Sequence, residues 1–349
     1  MVSPDGALPL PWLAGLLKQA LDMHQAHALL LHGPQGVGQF ELAVTLAQSW
    51  LCDAAPNPAK PGQACGRCAS CKLAQARSHP DLLVVLPEAL RESLGWQSDA
   101  NDPVAAEKAG KAKPSKEIKV DAIRAVVSFA QTTSARGRGK AVVVHPAERM
   151  NAIAANTLLK TLEEPPGDTR FVLSCTAADA LLPTVRSRCQ TLPLGLPDRA
   201  LALGWLQARG VARGDVLLAG AGGQPQQALE WSQQGIDADA WLRLPQMMRR
   251  GESDRLVGWP LPRLVEALQK LCHDSMRVAA GAAPRYFPAT ALGPAADMSA
   301  LHAWSRALNL TSRHGEHPWH MALMVESLVA QAHQALSTTQ ASGRTAPVV

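Results

Sequence analysis

Four cysteines in this chain have the spacing of a metal site. Cys65, Cys68 and Cys71 follow one another at short intervals, and Cys52 precedes them. Four thiolates suit a tetrahedral Zn²⁺ ion with Zn–S bonds of ~2.3 Å, and a set of four cysteine ligands leaves no open position for water. The pattern therefore predicts a structural zinc module over residues 52–71, with free thiols and an iron–sulfur cluster as alternatives. The other cysteines are isolated and are interpreted as packing residues: Cys175, Cys189 and Cys272.

A glycine-rich turn after an apolar run offers a second kind of chemistry. Residues 28–40 read ALLLHGPQGVGQF, which predicts a buried strand, a loop and then a helix. The phosphate-binding pattern G-x-x-x-x-G-K-[ST] uses its Lys on the β- and γ-phosphates and its hydroxyl on Mg²⁺. Gln39 and Phe40 stand at those two positions. The sequence therefore predicts the frame of a nucleotide site without its charge or metal ligand, and no bound ATP is expected. The loop glycines that remain are Gly33, Gly36 and Gly38.

The acid that should accompany such a loop is also missing. An active P-loop ATPase needs a carboxylate at the end of a neighbouring strand to hold Mg²⁺. The third predicted strand ends in His145 and Pro146, and we interpret Glu148 and Glu163 as surface or capping acids. The two losses together predict that the chain does not hydrolyse ATP. Weak nucleotide binding stays open, because a glycine loop before a helix still offers backbone N–H groups to an anion.

Alternating strands and helices must position these residues. Apolar runs predict strands at 29–32, 81–86, 141–144 and 170–175, and helices at 10–26, 40–51, 120–130 and 152–162. This alternation predicts an α/β fold with a parallel sheet covered by helices on both faces. After Pro193 no further strand is predicted, and the chain reads as a series of helices. Residues 88–117 lack periodicity and are predicted to form a long polar loop.

Length and composition limit the class of protein. The 349 residues are enough for more than one domain, and the net charge of +5 permits an acidic partner without resembling a nucleic-acid coat protein. No apolar run approaches the ~18 residues of a membrane span, and no secretory leader is visible. We therefore expect a cytoplasmic protein with no membrane partner. In that compartment, cysteines favour metal binding over disulfides.

Several motifs occur together as they do in one known family. Residues 156–166 read NTLLKTLEEPP, residues 187–189 read SRC, and the cysteine module lies between the helix after the glycine loop and the second strand. In these features the chain resembles the AAA+ clamp-loader subunits of bacterial DNA polymerase III. The resemblance implies an AAA+ P-loop-type domain carrying the zinc module at 1–194, a small helical lid domain at 195–240 and an all-α collar domain for oligomerisation at 241–349.

Departures from the family pattern favour one of its branches. The ATP-binding gamma/tau subunits keep the loop Lys and the acidic strand end, whereas this chain has Gln39 and His145. Gln226 falls where those subunits have a sensor arginine, and Thr176 matches a second sensor position with no nucleotide to sense. The resemblance therefore implies a non-catalytic subunit. The alternative is an ATP-hydrolysing subunit of the gamma/tau type with an atypical loop.

The S-R-C motif is the part of the family pattern that could still act. It comprises Ser187, Arg188 and Cys189, and in the family its arginine reaches the ATP held by a neighbouring subunit. The resemblance implies that Arg188 is such a finger in trans, with Arg186 as the competitor for the role. A guanidinium so placed neutralises charge developing on the γ-phosphate.

The resemblance also implies partners. They are the gamma/tau ATPase subunits and delta, with the sliding clamp and primer–template DNA reached through the complex. A zinc-knuckle nucleic-acid binder is a third interpretation of the cysteines, although aromatic and basic residues are sparse around them.

Overall fold

The chain folds into two compact units. The computed structural model describes residues 1–23, 26–55, 57–96, 114–253, 256, 258–313 and 320–338. The units are Met1–Leu201 and Ala202–Val349. The boundary expected between residues 240 and 241 falls inside one helix, Ala238–Arg250. The division of the second unit into lid and collar domains stays a prediction.

A five-stranded parallel sheet forms the centre of the first unit, which confirms the predicted α/β class. Its strands are β1 (Ala28–His32), β2 (Leu82–Val85), β3 (Lys140–Val144), β4 (Thr169–Cys175) and β5 (Gln190–Pro193). They lie side by side in the order β2-β3-β4-β1-β5. Leu29 and Leu30 point to opposite faces of β1 and are both fully buried, so both faces of the sheet are covered.

Strand β5 is absent from the sequence prediction. It lies at the edge of the sheet and pairs only with β1, in a register that sets Leu29 opposite Gln190. Of its four residues only Leu192 is buried. An edge strand of this kind has no apolar run, so hydrophobic periodicity could not identify it.

Helices connect the strands as the alternating pattern predicts. In the first unit they are α1 (Leu13–Asp22), α2 (Gln39–Trp50), α3 (Ala69–Gln75), α4 (Glu88–Arg91), α5 (Val120–Gln131), α6 (Ala152–Glu163) and α7 (Pro183–Arg186). Helix α6 begins where Asn151 Oδ1 accepts the Ala154 N–H at 2.8 Å. It ends just before Pro165 and Pro166, which cannot continue a helix.

The loop predicted over residues 88–117 is wrong at its start, where α4 forms. Glu88 Oε2 accepts the Ser115 N–H at 2.9 Å, and the Ala89 N–H donates to Ser115 O at 3.1 Å. These contacts hold a helix that is too short to show periodicity in the sequence. Residues 97–113 of the predicted loop lie outside the described residues.

From residue 199 onward the described chain is helical, as predicted. The helices are α8 (Arg199–Gln207), α9 (Gly214–Gly220), α10 (Pro225–Gln233), α11 (Ala238–Arg250), α12 (Leu261–Ala279), α13 (Ala289–Leu292), α14 (Met298–Arg313) and α15 (Met321–Ser337). Asp274 of α12 is fully buried and accepts the backbone N–H groups of residues 285–287 at 2.7–2.9 Å. Among the helices described in either unit, none has both the length and the apolar character that crossing a membrane requires.

Candidate functional site

The four predicted cysteine ligands come together in the first unit. Their sulfur atoms all lie within 4.8 Å of one another. The Cys52–Cys68 pair is 3.8 Å apart and the Cys65–Cys71 pair 4.0 Å apart. Four sulfurs at ~2.3 Å from a tetrahedral ion would be about 3.8 Å apart, so one cation fits among them.

Backbone N–H groups prepare these sulfurs to carry negative charge. Cys65 N–H donates to Cys52 Sγ at 3.4 Å, Cys68 N–H to Cys65 Sγ at 3.3 Å and Cys71 N–H to Cys68 Sγ at 3.4 Å. Burial acts to raise the pKa of Cys65, but N–H donors from Arg67 and Cys68 outweigh it and lower that pKa to about 7. Burial raises the pKa of Cys71, and a bound cation would favour its thiolate.

Elements distant in sequence hold the cysteine module. Val2 and Ala64 are buried against the cysteines. Asp53 accepts from the Ser70 hydroxyl at 2.9 Å and from Arg136 Nη2 at 2.9 Å, while Arg136 Nε donates to Ser70 Oγ at 2.7 Å. This network could not be predicted from the sequence, because its members lie 17 to 83 residues apart and form no motif.

The carbonyls of the glycine loop between β1 and α2 accept hydrogen bonds from the Gln39 side chain. Gln39 is buried, and its Nε2 donates to Gly33 O and Pro34 O at 2.6 Å each. Gly38 has a φ of +101°, which glycine adopts freely, and α2 begins after it. A Cβ on Gly33 would lie 2.2 Å from Leu194 O, so only glycine fits there. The Gln39 amide therefore ties the start of α2 to two carbonyls of the loop.

Phe40 stands where an active phosphate-binding loop has its metal-binding hydroxyl, and its ring packs against other aromatic rings. The Phe40 ring is buried, 5.0 Å from the His145 ring and 5.9 Å edge-on from Trp96. His145 Nδ1 lies 2.8 Å from Ser174 Oγ, and burial lowers the pKa of His145 to about 4. His145 is therefore neutral at pH 7. Neither Phe40 nor His145 offers an oxygen to Mg²⁺.

Replacing His145 with Gln is expected to reduce the acid sensitivity of the first unit. The pKa of His145 is about 4 in the folded chain against the ordinary 6.5, so between these pH values the unfolded chain binds a proton that the folded chain excludes. The free energy of unfolding should fall by about 2 kcal/mol from pH 7 to pH 5 for this reason. Urea titrations at both pH values should show a loss smaller by that amount in His145→Gln. An equal loss in both proteins would assign the effect to another group, such as His79, whose pKa is also lowered by burial.

Glu148 binds the end of β4 and does not cap a helix. Its Oε1 accepts the Thr176 N–H at 2.9 Å and the Thr176 hydroxyl at 2.8 Å. The side chain is half-buried. Both contacts of Glu148 Oε1 are therefore with Thr176, the residue that the family resemblance matches to a sensor position.

Arg188 follows α7 and is held by an acid from α6. Its Nε donates to Glu163 Oε1 at 2.7 Å, Nη2 contacts the same oxygen, and Nη1 donates to Thr184 O at 2.8 Å. Ser187 Oγ lies 3.5 Å from Nη1. Among the described residues, none of the hydrogen bonds of Arg188 reaches the 33–40 loop.

Three further candidate residues have different surroundings. Arg186 is exposed, and its side chain has no ion pair or hydrogen bond within the described ranges. Cys189 is half-buried against the core, and burial raises its pKa to about 12, as expected for a packing residue. Gln226 is half-buried on α10 in the second unit.

Comparisons with known proteins identify relatives over more than half of the chain. The family model described as DNA polymerase III, delta subunit, matches residues 12–197. DNA polymerase III subunit delta' of Pseudomonas aeruginosa is 38% identical over 65% of this chain and 62% of its own length. The Escherichia coli protein of the same name is 29% identical over 74% of this chain and 76% of its own. The chain thus spans less than two thirds of the Pseudomonas relative.

One solved structure aligns over most of the chain. A DNA polymerase III gamma subunit-related protein from Thermotoga maritima covers 93% of this chain and 99% of its own, with 17% identity and a TM-score of 0.45.

Proposed function

The chain belongs to the family described as DNA polymerase III, delta subunit, and we propose that it is a non-catalytic, delta-prime-type subunit of the clamp loader. In this role it helps to load the sliding clamp onto primed DNA during replication, in the cytoplasm. Its partners are the gamma/tau ATPase subunits and delta, and it meets the clamp and primer–template DNA through the complex.

The residues at the Lys and hydroxyl positions of the glycine loop carry the proposal that the subunit is non-catalytic. Gln39 stands at the position of the phosphate-binding Lys, and its neutral amide donates to Gly33 O and Pro34 O. Phe40 stands at the position of the metal-binding hydroxyl, and its ring packs against the His145 ring. A triphosphate placed there would find neither a cation nor a metal to balance its charge. This supports a subunit that does not hold or hydrolyse ATP of its own.

Arg188 supplies the proposed activity toward a neighbour. It lies in the S-R-C motif on the same unit as the glycine loop. Its Nε–H donates to Glu163 and one Nη1 N–H to Thr184 O, and these two bonds leave other terminal N–H groups for a phosphate. An arginine needs no local nucleotide to neutralise charge on a phosphate bound by another chain. We therefore assign the trans finger to Arg188, with Ser187 and Cys189 shaping its loop.

We assign Zn²⁺ to the cysteine module. The sulfur spacing, the N–H donors to sulfur and the four-thiolate set all support a closed tetrahedral site at Cys52, Cys65, Cys68 and Cys71. The role is structural, because the site has no open position and is packed against Val2 and Ala64.

The isolated chain tests the non-catalytic role. It is expected to show no Mg²⁺-dependent ATP turnover, and Gln39→Lys alone is not expected to create any, because Phe40 and His145 still leave Mg²⁺ without protein oxygens. Turnover and nucleotide binding by the parent and this variant are the measurements. Substantial hydrolysis by the pure parent chain would favour the gamma/tau-type ATPase instead.

Reconstitution tests the assembly role. The chain should form a stable complex with the gamma/tau and delta subunits, and loading of the sliding clamp onto primed DNA should depend on its presence. Complexes prepared without it are the control. DNA binding by the isolated chain with a steep salt dependence would favour the zinc-knuckle nucleic-acid binder.

A further inference from the structure

Glu163 makes the closest polar contacts of Arg188 and has no part in the function described so far. Its Oε1 accepts the Arg188 Nε–H at 2.7 Å and also contacts Nη2. Glu163 is the last residue of α6, and Arg188 lies just beyond α7, 25 residues later. The Glu163 carboxylate therefore bonds the Arg188 guanidinium to the C-terminal end of α6, which is a longer helix than α7.

Folding stability does not account for an acid at this position. The C-terminal end of a helix carries partial negative charge, so a carboxylate in the last turn is locally unfavourable. The side chains of Arg188 and Glu163 are 29% and 47% exposed, and water screens so open an ion pair. The contact is explained better by its effect on the orientation of the guanidinium.

The N–H groups of Arg188 show what this contact leaves available. Of the five donors of an arginine, Nε–H and one on Nη2 face Glu163, and one on Nη1 faces Thr184 O. The other Nη1 N–H has only a long contact, 3.5 Å to Ser187 Oγ, and the other Nη2 N–H has no partner among the described residues. Two N–H groups in one plane match two oxygens of a phosphoryl group.

We propose that Glu163 is a positioning residue for Arg188, holding one edge of the guanidinium so that the terminal N–H groups are presented to a phosphate bound by a neighbouring subunit. This inference rests on the trans role of Arg188 proposed above. A free arginine side chain samples many rotamers, and a misplacement of about 1 Å in a catalytic group can cost ~10²-fold in rate. A carboxylate on a rigid helix reduces that sampling.

The test compares Glu163→Ala, Glu163→Gln and Arg188→Ala in the reconstituted complex. Glu163→Ala is expected to lower kcat for ATP at the neighbouring site by about 10-fold or more, with KM unchanged, because positioning affects the transition state. Glu163→Gln should recover part of the loss, since its amide oxygen can still accept from Nε–H. Glu164→Ala is the matched control, because Glu164 is exposed and has no side-chain partner among the described residues. It should behave as the parent.

A double substitution separates positioning from a structural role. If Glu163 acts only through Arg188, adding Glu163→Ala to Arg188→Ala should lower kcat no further. A further loss in the double variant would overturn the inference, as would a faster rate in Glu163→Ala, which would mean that Glu163 restrains the arginine. An unchanged rate in Glu163→Ala with a loss in Arg188→Ala would overturn the inference alone. An unchanged rate in Arg188→Ala would remove the trans role and the inference with it.

Discussion

Arg188→Ala is expected to lower ATP hydrolysis at the neighbouring site of the reconstituted complex by about 10³-fold or more. A guanidinium that reaches a γ-phosphate in trans neutralises charge developing in the transition state, and such arginines are worth ~10³–10⁵ in rate. Only the site that faces this chain should be affected. The measurement is therefore single-turnover hydrolysis in complexes whose other ATP sites have been inactivated.

Two variants control this experiment. Arg186→Ala removes an exposed arginine two residues away that has no partner in the described part of the chain, and it should keep the parental rate. Arg188→Lys keeps the charge but cannot form a planar fork, so it should recover only a small part of the loss. Equal losses of hydrolysis rate in Arg186→Ala and Arg188→Ala would indicate a general electrostatic effect of this loop. A loss of rate in Arg186→Ala alone would assign the finger to Arg186.

Assembly should survive the loss of Arg188. Its contacts within the chain are with Glu163 and Thr184 at a half-exposed position, and removing them costs little folding stability. Co-purification with the partner subunits should match the parent. A variant that fails to assemble would show that Arg188 supports the interface itself, and the rate comparison would then say nothing in favour of a finger.

The parts of the fold that the sequence predicts are those with a local signal. The buried strands β1, β3 and β4 each carry an unbroken apolar run, and α6 carries both a cap and a proline stop. Strand β5 and helix α4 have no such signal. They exist because β1 and Ser115, distant in sequence, offer them backbone partners.

The same distinction applies to the site. The cysteine ligands and the S-R-C motif follow from residue types at short spacing. The substitution of Lys by Gln39 also follows from the sequence, but the bonds of its amide to Gly33 and Pro34 do not. The pairing of Glu163 with Arg188 could not be predicted either, because either acid of the E-E-P-P segment could have faced the arginine. Only the direction of each side chain at the end of α6 decides between them.

Cys68→Ala is expected to remove the metal from the chain and to destabilise the first unit. Cys68 is both a ligand of the proposed zinc site and the N-cap of α3, where its sulfur accepts the Cys71 N–H. Structural zinc contributes roughly 10–16 kcal/mol of apparent binding free energy in small peptides, and losing one of four thiolates forfeits much of it. We expect the free energy of unfolding of the first unit to fall by about 3 kcal/mol or more. Metal analysis should change from about one zinc per chain to almost none.

Cys272→Ala is the control for the loss of a cysteine outside the proposed zinc site. Cys272 is buried in the second unit, where its sulfur lies 3.4 Å from Leu301 O, and its replacement should leave the zinc content unchanged. Loss of the zinc should also make the module more sensitive to trypsin at Arg67 and Lys72, because the packing of Val2 and Ala64 depends on the four sulfurs staying together. If the Cys68→Ala protein keeps one zinc per chain and resists trypsin, a site with four cysteine ligands is contradicted. Iron in place of zinc in the parent protein would assign the cysteines to an iron–sulfur cluster.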